Sequence, residues 1–118
     1  MPELVIIGGG PAGLSAAIYA VRAGLAAHVL YKDDGALGKT DKIENYFGFP
    51  DVISGAELLS RGRAQAERLG AQLHRTEVTG IEYADTGFTV KTTDGERHAD
   101  AVLLATGSPR AVPAITGI

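Results

Sequence analysis

Near its start the chain reads Leu4-Val5-Ile6-Ile7-Gly8-Gly9-Gly10-Pro11-Ala12-Gly13. An apolar run that ends in glycines is typical of a strand buried on both faces of a parallel sheet. The next residues, 14–23, carry apolar side chains at helical spacing, and Gly24 is a natural helix C-cap. We therefore predict a buried strand, a tight glycine turn and a helix whose N-terminus faces that turn.

The glycine spacing Gly8-x-Gly10-x-x-Gly13 is typical of a turn that binds a dinucleotide. Gly8 allows the sharp turn, Gly10 lets a diphosphate approach the main chain, and Gly13 lets the helix pack closely. The free amides and partial positive charge of the helix start favour phosphate, and Pro11 suits a position without an amide partner. A purely structural turn is the alternative. A second strand predicted at His28–Tyr31 completes the βαβ unit and favours the binding interpretation.

Length and composition limit the classes of protein to be considered. The 118 residues predict one domain, and the formal net charge of −3 comes without a basic run, so we expect no nucleic-acid partner. No apolar run is long enough to cross a membrane, and the N-terminus enters a strand directly, so we expect a cytoplasmic protein without a signal peptide. The sequence has no cysteine, and we predict no catalytic residue and no metal site.

The remaining elements predict an α/β fold with two kinds of sheet. A helix is predicted over 54–69, with Ser54 and Glu57 in a capping-box pattern, and a further parallel strand over 72–75. Three short strands follow, over 78–83, 88–92 and 96–98, and the Asp94-Gly95 pair is a strong hairpin signal. The apolar run 101–105 predicts a central, buried strand. The fold class is a Rossmann-like parallel sheet of the three-layer ββα type with a three-stranded antiparallel meander.

Three expectations concern individual side chains. His28 is predicted to be a surface residue at a strand end, and the charged residues of the second helix, Arg63 among them, are predicted to face solvent. The long loop Asp33–Pro50 is of a length that is usually functional. It carries a cluster of three aromatic residues, which either folds onto the core or forms a wall beside a flat ring system.

Three motifs in order resemble the FAD-binding half of the thioredoxin reductase family and its flavoprotein relatives. They are Gly8-Gly9-Gly10-Pro11-Ala12-Gly13-Leu14-Ser15-Ala16-Ala17-Ile18-Tyr19-Ala20, Ile43-Glu44-Asn45-Tyr46-Phe47-Gly48-Phe49 and Leu103-Leu104-Ala105-Thr106-Gly107-Ser108-Pro109-Arg110. The resemblance covers essentially the whole chain. It implies a single FAD-binding domain over 1–118, the first part of a larger flavoprotein in which electrons pass from a reduced donor, commonly NADPH, through FAD to a cysteine pair and a disulfide.

The resemblance also implies which residues contact FAD. The pyrophosphate would be held by Gly8, Gly10, Pro11, Ala12 and Gly13, and the ADP part would pass the loop from Asp33 to Lys39. Asn45 matches a family asparagine near the flavin, Val78 would lie by the adenine, and Thr106 and Gly107 would close over the cofactor. NAD(P)H is the donor of the full-length family and is not expected to bind this portion.

Three departures from the family pattern bear on function. The strand-end position that is often acidic, to hold the adenine ribose, is Tyr31, followed by Lys32 and then Asp33. The loop that often carries Gly-Gly-Gln reads Gly35-Ala36-Leu37-Gly38-Lys39 and is slightly shorter. The chain also carries neither the cysteine pair nor the returning FAD segment of its relatives, so we expect a homodimer or a separate nicotinamide and disulfide domain to complete it.

Two other functions stay open from the sequence. A nucleotide-binding module without catalysis is the first, because FAD would be held through its ADP half alone. An NAD(P)-binding Rossmann domain is the second, since Lys32 near the ribose favours a 2′-phosphate. The predicted meander counts against the second, because nicotinamide domains usually have a helical crossover there.

Overall fold

The computed structural model describes residues 1–107. The elements in chain order are β1 (Glu3–Ile7), α1 (Pro11–Arg22), β2 (Ala26–Tyr31), a short 3₁₀ helix η1 (Leu37–Lys39), α2 (Gly55–Leu69), β3 (Gln72–Arg75), β4 (Val78–Tyr83), β5 (Phe88–Thr92), β6 (Gly95–Ala99) and β7 (Ala101–Leu104). The predicted strands and helices are all present, with bounds that differ from the prediction by a few residues at most. Within this part of the chain, no helix has the length and apolar character needed to cross a bilayer.

Two sheets form the framework of the fold. Parallel strands in the order β3-β2-β1-β7 make the first sheet, and the antiparallel meander β4-β5-β6 makes the second. One core cluster joins the first sheet to both helices through residues such as Ile6, Leu14 and Leu59. A second cluster joins the other face of that sheet to the meander through residues such as Val5, Leu30 and Val90. The result is the predicted three-layer arrangement of helices, parallel sheet and meander.

Local sequence signals set the ends of both helices. Gly10 is the N-cap of α1 and Pro11 its first residue, while Gly24 follows the helix with φ +90°. The Ser54 side chain caps α2 by accepting the Glu57 amide at 3.1 Å, and Gly70 ends it in the left-handed conformation. Only half of the predicted capping box forms, because the Glu57 carboxylate pairs with Arg61 instead of turning back to Ser54.

Within residues 1–107, the last strand lies at an edge of its sheet and is partly exposed, and is not central and buried as the sequence predicted. β7 pairs with β1 alone among residues 1–107, so it lies at the edge of the parallel sheet. Its residues Leu103 and Leu104 are 40% and 46% exposed. An apolar run indicates that the side chains of a strand favour burial, but it carries no information about strand order, which depends on pairing with distant segments.

His28 is buried and is not the surface residue that the sequence predicted. It is 6% exposed, its Nε2 lies 2.6 Å from the Glu3 carboxylate, and its ring stacks on His74 at 5.6 Å between centroids. Arg97 of β6 lies 3.2 Å from His28 Nδ1, which joins the parallel sheet to the meander. Burial and Arg97, together with His28 itself, lower the pKa of His74.

Candidate dinucleotide site

The glycine turn between β1 and α1 has the close packing that its sequence predicts. Gly8 has φ +121°, and a Cβ placed on it would lie 2.0 Å from the Ala105 carbonyl oxygen, beyond the end of β7. A Cβ on Gly13 would lie 1.9 Å from the Gly8 carbonyl oxygen. Backbone atoms cannot yield at these distances, so both positions require glycine for the turn and the helix to meet.

Gly10 differs from these two glycines because it faces open space. Apart from its immediate neighbours, a Cβ on Gly10 would have no heavy atom of residues 1–107 within 4 Å, and the residue has φ −82°, which any amino acid adopts. Next to it, the amides of Ala12 and Gly13 have no hydrogen-bond acceptor among residues 1–107. Unpaired amides at a helix N-terminus, beside a position without a side chain, fit a diphosphate group.

The ends of two neighbouring strands border this turn. The Gly8 amide donates to the Leu30 carbonyl at 2.9 Å, and a Cβ on Gly9 would lie 2.6 Å from the Cβ of Tyr31. Thr106 follows β7 on the other side, with its backbone nitrogen 3.2 Å from the place of a Gly8 Cβ. The fold therefore brings Tyr31 and Thr106 to the glycine turn, at the carboxyl edge where such sheets bind ligands. Gly107 is exposed next to Thr106, with φ +77°.

Lys32 and Asp33, the two charged residues after β2, are engaged with the protein. Lys32 Nζ lies 3.0 Å from the Glu77 carboxylate, and this hydrogen-bonded ion pair raises the pKa of Lys32. Asp33 Oδ1 accepts the Gly35 amide at 2.9 Å and so shapes the turn that follows. Because Lys32 already pairs with Glu77, the interpretation that it binds a 2′-phosphate is weakened.

The other predicted contact residues lie farther along the chain. Lys39 is exposed at the end of η1, and Asn45 is exposed in the loop closed by the Ile43–Ile53 bridge. Among residues 1–107, no hydrogen bond joins either side chain to the glycine turn. Val78 opens β4, pairs with Thr92, and is buried in the second core cluster at 6% exposure.

The aromatic cluster of the long loop stays outside both cores. Tyr46 and Phe49 stack with ring centroids 5.6 Å apart, and the Arg61 guanidinium lies 5.6 Å from the Phe49 ring. Phe47 is completely exposed. Because Tyr46 and Phe47 are exposed and Phe49 is half-buried, this arrangement favours the interpretation of a wall beside a flat ligand over that of a loop folded onto the core.

Arg63 is the residue of this region that sequence reasoning missed, because it was predicted to face solvent. Its side chain is only 20% exposed, and its Nη2 lies 2.9 Å from the Asp34 carboxylate. The guanidinium carbon lies 4.4 Å from the centre of the Tyr31 ring. An arginine on a polar helix face has no sequence signal for burial, since the contacts that bury it come from residues about thirty positions away.

The parallel sheet, its crossover helix and the glycine turn define a Rossmann-like nucleotide-binding fold. The chain belongs to the pyridine nucleotide-disulphide oxidoreductase family, whose model matches residues 2–118. Within that family it is thioredoxin reductase-like. It is 45% identical over 109 residues to the thioredoxin reductase of Aquifex aeolicus, an alignment that covers 90% of this chain and 34% of the relative.

Two further similarities agree with this assignment. The NADPH-dependent thioredoxin reductase 3 of Arabidopsis thaliana is 41% identical over 112 residues, covering 90% of this chain and 21% of that protein. The crystal structure of the atypical thioredoxin reductase TRi from Desulfovibrio vulgaris Hildenborough superimposes with a TM-score of 0.87 at 46% identity, covering 99% of this chain and 40% of that one. The chain thus spans about a third of the length of the thioredoxin reductase of Aquifex aeolicus.

Proposed function

We propose that this chain binds FAD and forms the FAD-binding part of a thioredoxin reductase-like oxidoreductase. The observation that carries the proposal is that the amides of Ala12 and Gly13, beside the open position at Gly10, have no acceptor in the described part of the chain. Their N–H groups would donate to the diphosphate, where the helix dipole adds favourable charge. Tyr31, Lys32, Asp33 and Lys39 would border the adenosine, with Val78 at the adenine.

The flavin end of the site would lie toward the aromatic loop and the last strand. Asn45 and the stacked rings of Tyr46 and Phe49 would face the flat ring system, and Thr106 and Gly107 would close over the cofactor from β7. When bound, FAD supplies the chemistry of accepting and passing on electrons. The residues of the chain bind and orient it, and with no cysteine among 118 residues they offer no thiolate of their own.

In the complete system we propose that electrons come from a reduced nicotinamide, commonly NADPH, and reach a disulfide. Support comes from the similarity to thioredoxin reductases, of which this chain matches about a third. A second copy of the chain or a separate nicotinamide and disulfide domain would complete the site. A cytoplasmic location belongs to the same proposal.

Binding of FAD is tested by titrating the purified chain with FAD and with FMN while flavin fluorescence is followed. FMN is the matched control because it has the same ring system but lacks the ADP half that the glycine turn would hold. We expect saturable binding of FAD, competition by ADP, and FMN binding at least about tenfold weaker. Equal affinity for FMN and FAD, or no binding of FAD, would contradict the proposal.

A parallel titration with NADP⁺ distinguishes an NAD(P)-binding domain from the proposed FAD-binding domain. The Lys32–Glu77 ion pair and the meander beside the parallel sheet both favour FAD. We expect NADP⁺ to displace FAD only at much higher concentration than ADP does. Tighter binding of NADP⁺ than of FAD would support the nicotinamide alternative.

A further inference from the structure

The position that holds the adenosine ribose in Rossmann-like folds is the end of the second strand, usually through an acidic residue. Here that position is Tyr31, and a phenol replaces the carboxylate. Of the two charges that follow, Lys32 pairs with Glu77, and one oxygen of Asp33 accepts the Gly35 amide. If the proposed function is right, the ribose is therefore open to contact by a group other than a strand-end carboxylate.

Arg63 lies beside Tyr31, and two of its N–H donor groups make no hydrogen bond within residues 1–107. Its guanidinium packs on the Tyr31 ring at 4.4 Å, and Tyr31 in turn packs against Gly9 of the glycine turn. Nη2 forms an ion pair with the Asp34 carboxylate at 2.9 Å but makes no hydrogen bond with it. Nε and Nη2 are both buried, and neither has a hydrogen-bond acceptor within residues 1–107.

Buried donors without an acceptor are rare in native proteins and are costly, so an acceptor at this position is expected. We propose that Arg63 is a ribose-recognition residue, which donates a hydrogen bond to the 2′ oxygen of the adenosine in the bound cofactor. Tyr31 is its positioning residue, because its ring holds the planar guanidinium in place. The usual direction of the hydrogen bond is thereby reversed, since the ribose oxygen accepts a hydrogen bond from Arg63 instead of donating one to a carboxylate.

The inference rests on the proposed function and is tested with ADP and 2′-deoxy-ADP, which differ only in the oxygen concerned. Affinities are measured by calorimetry for the unaltered chain, for Arg63→Gln and Arg63→Lys, and for Arg68→Gln. Arg68→Gln is the matched control, because Arg68 is an exposed arginine of the same helix. Thermal unfolding followed by circular dichroism checks that each variant is folded.

For the unaltered chain and for Arg68→Gln, we expect 2′-deoxy-ADP to bind about tenfold more weakly than ADP or weaker still, as for the loss of one hydrogen bond from a charged donor. For Arg63→Gln the two ligands should bind within about twofold of each other. Arg63→Lys should also lose most of the difference, since lysine lacks the planar fork that stacks on Tyr31. Tyr31→Phe should keep the difference, because the ring is retained, and Tyr31→Leu should reduce it.

Two results would overturn the inference while leaving FAD binding intact. One is equal affinity of the unaltered chain for ADP and 2′-deoxy-ADP, a measurement that needs no variant. The other is an undiminished difference in folded Arg63→Gln. Failure of the unaltered chain to bind either ADP or FAD would overturn the proposed function together with this inference.

Discussion

Replacing Gly10 by alanine separates ligand binding from folding at the glycine turn. Within residues 1–107, the new methyl group would meet no atom within 4 Å other than those of the adjoining backbone, and φ of −82° suits alanine. Alanine is a poorer N-cap than glycine but restricts the unfolded chain, and each effect is worth about 0.5–1 kcal/mol. Because the two effects oppose each other, we expect the free energy of unfolding to change by less than about 1 kcal/mol.

The same methyl group would obstruct the diphosphate. A phosphate oxygen that accepts from the amides at the start of α1 must approach to about 2.9 Å from nitrogen, which leaves no room for a Cβ beside it. Losing or lengthening one charge-assisted hydrogen bond costs about 1.5–3 kcal/mol, so the Kd for FAD should rise roughly 10- to 100-fold. Fluorescence titration measures the affinity, and circular dichroism measures the Tm, which should move by less than about 4 °C.

Gly13→Ala is the contrasting variant, because its methyl group would lie 1.9 Å from the Gly8 carbonyl oxygen. This substitution should destabilise the fold by several kcal/mol, since backbone must shift to accept it, whereas Gly10→Ala should leave the fold intact. Unchanged FAD affinity in folded Gly10→Ala would refute the reasoning. So would a loss of stability at Gly10 as large as that at Gly13.

Other expectations concern stability alone. The pKa of His74 is lowered in the folded protein, so the unfolded chain binds more protons as the pH falls below about 6.5. The free energy of unfolding should therefore decrease as the pH is lowered from about 7.5 to about 5.5, and His74→Gln should weaken this pH dependence in thermal unfolding scans. An equally steep pH dependence in the variant would contradict the role given to His74. Ser54→Ala removes the N-cap of α2 and should cost about 1 kcal/mol, or about 4 °C in Tm. Glu57→Gln should cost less than half as much, because the Glu57 side chain does not return to the cap and its pair with Arg61 is exposed; equal losses would show that a full capping box forms in solution.

Most of the architecture could be predicted from the sequence because its signals are local. Glycine spacing predicted the turn after β1, Ser54 and Gly70 predicted the ends of α2, and the Asp94-Gly95 pair predicted the β5–β6 hairpin. Each signal acts through residues a few positions apart, so a linear pattern records it. The assignment of individual residues to FAD remains a prediction.

The sequence by itself determined the kinds of elements, their order and the glycine turn with its free amides. Tertiary structure alone decided that β7 lies at the edge of the sheet that residues 1–107 form, that His28 is buried, and that Arg63 packs on Tyr31. These features join residues separated by about thirty to a hundred positions, and they depend on which segments pair and which faces become covered. No stretch of sequence carries that information, because burial is a property of the assembled layers and not of the residue that becomes buried.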